Sequence, residues 1–153
     1  MNYISIDILK RIPRGEAHNK KYNIEYYNKI KKDISENGIK EPLFLKYYVK
    51  DNALRLIEGH HRIEIALELG LKKLPIRILV DWTSRYFDED NPRINQDVKG
   101  QPIYNPPKPL EVETYKKRNY WASEITPSEI GLSTINESNY FKVCVNESIA
   151  KNI

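Results

Sequence analysis

The sequence holds a single cysteine, Cys144, among 153 residues. An internal disulfide is thereby excluded, and a reducing cytosol is the simplest compartment for such a chain. No apolar run approaches the roughly 20 residues that a helical membrane span requires, so no membrane partner is expected. The opening stretch Met1-Asn2-Tyr3-Ile4-Ser5-Ile6-Asp7 lacks the basic start and apolar core of a signal peptide. The expected location is cytoplasmic. Internal repeats and low-complexity tracts are also missing.

What is present is the composition of a folded chain. Hydrophobic residues make up 40% and charged residues 30%, which is too apolar for a disordered, charge-dominated segment. The charge is uneven. Residues 1–80 carry 16 basic and 10 acidic side chains, a net of +6, whereas residues 81–153 carry 9 and 11, a net of −2. All three histidines lie in the first part. A basic first half suits an anionic partner, either a nucleotide or DNA. A solvated lysine-rich surface would produce the same count.

Local patterns divide the first 80 residues into six elements. Alternation over residues 3–8 predicts a strand. A polar loop follows over 11–21, containing Pro13, Gly15, Glu16 and His18. Asn23 then suits a helix cap, and Ile24, Tyr27, Ile30 and Ile34 recur on one helical face. Gly38 marks the stop. Residues 42–49 and 53–58 read as a hairpin around the turn Lys50-Asp51-Asn52. Gly59 breaks the second strand, and a helix runs from His60 or His61 to Leu69. Its apolar residues occupy more than one face, which predicts deep burial. A last strand spans 74–80, with Pro75 marking its beginning or a sheet edge. The order β-α-β-β-α-β describes a compact α+β unit.

The second part has a different character. Residues 81–153 contain six of the nine prolines. A loop is expected over 101–109 and a weakly periodic helix over 111–121. Thr126-Pro127-Ser128-Glu129 reads as a helix start, with a threonine cap, proline first and glutamate three residues on. Residues 140–145 read as a strand holding an inert Cys144. The expected organisation is a domain over 1–80 with a C-terminal extension over 81–153 packed upon it through aromatic side chains such as Trp82 and Tyr104.

The segment that carries chemistry is Leu56-Ile57-Glu58-Gly59-His60-His61-Arg62. A strand ends, a glycine turns the chain, and a helix begins at once. The first amides of a helix lack internal partners and sit at the positive end of its dipole, so this junction is an anion site built from backbone. Arg62 adds a forked donor for phosphate oxygens. His60 and His61 add hydrogen-bond donors, and imidazole is the side chain suited to proton transfer near neutral pH. Glu58 either accepts a proton or holds a magnesium ion that bridges phosphates. Against this stand the bland roles: a plain strand-to-helix turn for Gly59, packing for the histidines, and a salt bridge between Glu58 and Arg62.

The chain over about residues 4–80 resembles the ParB/sulfiredoxin superfamily. The likeness rests on Ile34-Ser35-Glu36-Asn37-Gly38-Ile39-Lys40-Glu41-Pro42-Leu43-Phe44-Leu45, on Leu56 to Ala66, and on Leu74-Pro75-Ile76-Arg77-Ile78. It implies a small mixed-sheet nucleotide-binding domain. Within that superfamily, His60 stands where sulfiredoxins carry the nucleophilic cysteine, which argues against their chemistry. His60 and His61 replace the Glu-Arg of the CTP-binding partition proteins, between a matching Gly59 and Arg62. Glu58-Gly59-His60-His61-Arg62 is most similar to the Asp-Gly-His-His/Thr-Arg of free serine kinases. Those kinases use a loop glutamate as base, and Glu16 is the carboxylate in the corresponding loop.

The resemblance therefore implies a nucleotide-dependent phosphotransferase or hydrolase. Its catalytic groups would be Glu16, Glu58 and His60. Gly59, His60, His61 and Arg62 would bind the phosphates of ATP, ADP or CTP, and Glu58 would hold Mg2+. Two alternatives stand beside it: a ParB-like DNA-binding or nuclease module, and a non-catalytic interaction scaffold.

Overall fold

The computed structural model describes residues 2–13, 24–85, 103–119 and 123–135. Glu16, His18, Asn23 and the strand expected over 140–145 lie outside the described residues. The fold is α+β: a mixed five-stranded sheet with few helices.

Strand β1 (Asn2–Ser5) is shorter than its alternation suggested. The chain leaves it at Ser5 and enters a single turn of helix, α1 (Ile6–Leu9). The cause is local: the Ser5 hydroxyl accepts a hydrogen bond from the Asp7 amide at 3.1 Å, an N-cap that ends the extended run. Helix α2 (Ile24–Asn37) follows the predicted span and buries Tyr27 and Ile34. Ile24, assigned to the same face, is instead largely exposed at its first turn.

The hairpin β2 (Leu43–Tyr48) and β3 (Ala53–Glu58) forms around residues 49–52. Asn52 adopts φ +46°, a left-handed conformation that asparagine tolerates better than most residues. Helix α3 (His60–Leu69) buries Ile63, Ile65 and Ala66. The predicted burial on several faces does not extend to Leu67, which is exposed.

Strand β4 (Lys73–Asp81) is the sheet's centre. It runs parallel to β2, with Leu43 opposite Ile76 and Tyr48 opposite Asp81. Its other edge pairs antiparallel with β1 over residues 73–76. Pro75 is therefore in a central strand but near its start. Amides alternate between the two edges of a strand. The Val80 amide points to Ser123 on the β5 side, so position 75 faces β2, where the register begins only at Ile76. The missing amide thus costs the ladder little.

The second part of the chain completes this sheet. Strand β5 (Glu124–Ile125) pairs with Ile78 and Leu79, continuing the edge that β1 leaves. Tyr104 bridges to Leu54 on the outer edge of β3, and the Ile135 amide donates to the Tyr3 carbonyl on β1. Helix α4 (Val112–Asn119) contributes Tyr115, which is buried and packs against Trp82 at 5.7 Å between ring centroids. The helix start read at Thr126 becomes one 3-10 turn, Pro127–Ile130. Glu129 accepts from the Thr126 amide as the capping pattern requires, and Gly131, at φ +78°, ends the turn.

One core joins these pieces. Ile4, Leu43, Leu45, Leu54, Leu56, Ile63, Leu74, Ile76 and Ile78 from the first 80 residues pack with Leu110, Tyr115, Ile125, Ile130 and Leu132. A smaller cluster of Tyr27, Ile34 and Ile65 fastens α2 to α3.

Candidate functional site at the start of α3

Strand β3 delivers the chain to Glu58, whose exposed side chain stands at the end of the hairpin ladder opposite Phe44. Gly59 then turns it into α3 with φ +113° and ψ +23°. Two facts make glycine necessary here. Positive φ is costly for residues with a Cβ, and a Cβ built at this position would lie 2.7 Å from Leu43 Cγ. The turn therefore sits hard against the first residue of β2.

Because Gly59 is the N-cap, no side chain caps α3, and the first turn of the helix carries no acidic residue. Within α3 itself no first-turn carboxylate offsets the positive end of the dipole, and the nearest acid in sequence is Glu58, just before the cap. The carboxylates on this helix, Glu64 and Glu68, come one and two turns later.

The remaining predicted residues divide by their contacts. Arg62 is half-buried, and its Nη1 donates to the carbonyl oxygens of Glu41 at 2.7 Å and Pro42 at 3.2 Å. It thereby fastens α3 to the segment leading into β2. Among the described residues, the ion pairs do not include one between Arg62 and Glu58. His61 is half-buried and faces α2: its ring lies 5.9 Å from those of Tyr26 and Tyr27, both edge-on at 72° and 79°. This is aromatic packing geometry. His60 opens α3 and is half-buried.

Sequence reasoning missed three supports of this turn: Leu43 beneath Gly59, the two carbonyls that hold Arg62, and the tyrosine pair around His61. Leu43 and the carbonyls belong to the start of β2, and only folding brings that segment beside α3. The tyrosines carry a partial signal, since the spacing of Ile24, Tyr27, Ile30 and Ile34 puts Tyr27 on the apolar face of α2.

Electrostatics tie α2 to α3 farther along. The Tyr27 hydroxyl is pushed up to about 12, first by burial and then by the nearby carboxylates of Glu68 and Glu64. Glu68 in turn pairs with Lys31 at 2.8 Å. These contacts fix the helix whose first turn forms the candidate site.

Magnesium fits this arrangement in one mode. It is commonly bound by one or two carboxylates together with phosphate oxygens and water, and the exposed Glu58 carboxylate adjoins the start of α3. Among the described residues, no three His, Cys, Asp or Glu side chains assemble as a metal site. None of the described helices is long and apolar enough to cross a membrane.

The contacts within this turn arise from its own sequence and from neighbouring elements, and likeness to characterised proteins adds no assignment: no family model matches the chain, and neither does any curated protein.

Proposed function

We propose that the junction Glu58–Arg62 binds the phosphates of a nucleotide, and that the protein is a phosphotransferase or nucleotide hydrolase with a ParB/sulfiredoxin-like domain. The observation that carries this reading is the start of α3. It begins directly from a strand, through a glycine that offers no capping side chain, and has no acid in its first turn. Such a helix end favours an anion by its amides and its dipole together. The mixed α+β sheet around it is compatible with the resemblance drawn from the sequence.

In this reading the amides after Gly59 cradle phosphate oxygens, with His60 and His61 flanking them. Arg62, its Nη1 already oriented by the Glu41 and Pro42 carbonyls, presents the rest of its fork to the same anion. Glu58 is the side chain that would hold magnesium, which when bound neutralises phosphate charge. Glu16 is the proposed base for the acceptor hydroxyl or water, with His60 as a further proton-transfer group and Glu58 as one only where it does not hold magnesium. Phosphoryl transfer depends mainly on positioning and charge neutralisation, which a small set of groups can provide.

The test is thermal stabilisation of the full chain by ATP, ADP, CTP, GTP and a short DNA duplex, each with and without magnesium. A nucleotide at about 100 times its Kd stabilises by about 2.7 kcal/mol. For a chain of this size that is a rise in Tm of roughly 5–10 °C. Arg62→Ala should abolish the rise, and Arg62→Lys should restore only part of it because lysine cannot make the forked contact. Stabilisation by DNA alone would instead favour the DNA-binding module. No nucleotide effect and no DNA effect would leave the scaffold. If turnover is found, Glu16→Gln should remove it while leaving the nucleotide shift in place; unchanged rates would overturn the role of Glu16.

A further inference from the structure

We draw no further inference here: the strongest candidate, the exposed apolar patch of Ile24 and Tyr26 on the first turn of α2, borders the site already described through the contact of Tyr26 with His61, and nothing in the structure shows what covers it.

Discussion

The two ends of β3 solve opposite problems. At its start, the turn over residues 49–52 is densely tied by polar side chains. Asp51 is buried and accepts from the Ser84 hydroxyl and, at 2.7 Å, from the Arg85 amide. Asn52 accepts from the Tyr47 hydroxyl at 2.7 Å and donates to the Pro106 carbonyl at 3.3 Å. Tyr47 also accepts the Leu110 amide at 3.1 Å, and Asn105 donates to the Asn52 carbonyl at 2.7 Å. At its other end, Glu58 is exposed and Gly59 has no side chain to contribute. The first turn is a fastening point for the second half of the chain. The second is shaped by sterics and leaves helix-end polarity uncovered by any capping side chain. Of the two ends of β3, the Gly59 end is thus the one followed by a helix start without a side-chain cap.

The largest effect should come from closing the second turn. Gly59→Ala forces a Cβ into positive φ and against Leu43. Left-handed strain of about 1–2 kcal/mol and overpacking of about 1–3 kcal/mol together predict a clear loss of stability in denaturant titrations. Gly70→Ala is the internal control. Gly70 has φ +72° but nothing within 4 Å of an added Cβ, so only the strain, about 1 kcal/mol, should appear. Equal losses at the two glycines would refute the steric account of the Gly59 turn.

Breaking the opposite turn should weaken the fold while sparing the site. Tyr47→Phe deletes a buried hydroxyl that serves both Asn52 and the Leu110 amide, and leaves that amide without its acceptor. The expected cost is about 1–3 kcal/mol. Nucleotide affinity, measured well below the variant's Tm, should be unchanged. A parallel loss of affinity would mean that the two ends of β3 are not independent.

Smaller effects follow from pH. Tyr27 is raised from an ordinary 10.0 to about 12, so the folded state holds its proton more tightly than the unfolded chain does. The associated stability is fully present below pH 10 and is lost as pH rises from 10 towards 12. Alkaline denaturation should therefore soften in Tyr27→Phe once its neutral-pH stability is matched, and the late phenolate absorbance of the wild type, to which Tyr47, also raised by burial, contributes, should fall by one tyrosine in that variant. At the acid end, Glu124 is held below the usual carboxylate range, mainly by its hydrogen bond with Arg77 and despite partial burial. Its contribution is present above the unfolded carboxylate pKa and fades as pH falls through the lower folded value. Because both side chains are well exposed, the pair should matter little at neutral pH. Glu124→Gln should reduce the acid dependence slightly, and a large change at pH 7 would show that β5 relies on this pair more than its exposure suggests.

Much of the first half was legible from residue order. The hairpin came from two β-rich runs around Lys50-Asp51-Asn52, and α3 from Gly59 and Gly70 at its ends. These signals are local, carried by turn chemistry and periodicity. The failure at residues 6–9 has the same scale: apolar alternation suggested a longer strand, but the Ser5 cap prevailed. The exposures of Ile24 and Leu67 were not legible, because periodicity marks a helical face without saying how far its neighbours reach. At the candidate site, the strand–glycine–helix junction could be read from Glu58-Gly59-His60. The engagement of Arg62 with backbone carbonyls could not, since any carbonyl brought within reach would satisfy that side chain.

The sequence by itself determined the main local elements of the first half and the glycine-led start of α3, because caps, turns and apolar spacing act over a few residues. The tertiary structure alone decided that β4 is central, that β5, Tyr104 and Ile135 supplement the sheet's edges, and that Arg62 is anchored at Glu41 and Pro42. Those outcomes join residues far apart in the chain, and which distant partners meet depends on how the whole core packs and which backbone groups are still seeking hydrogen bonds.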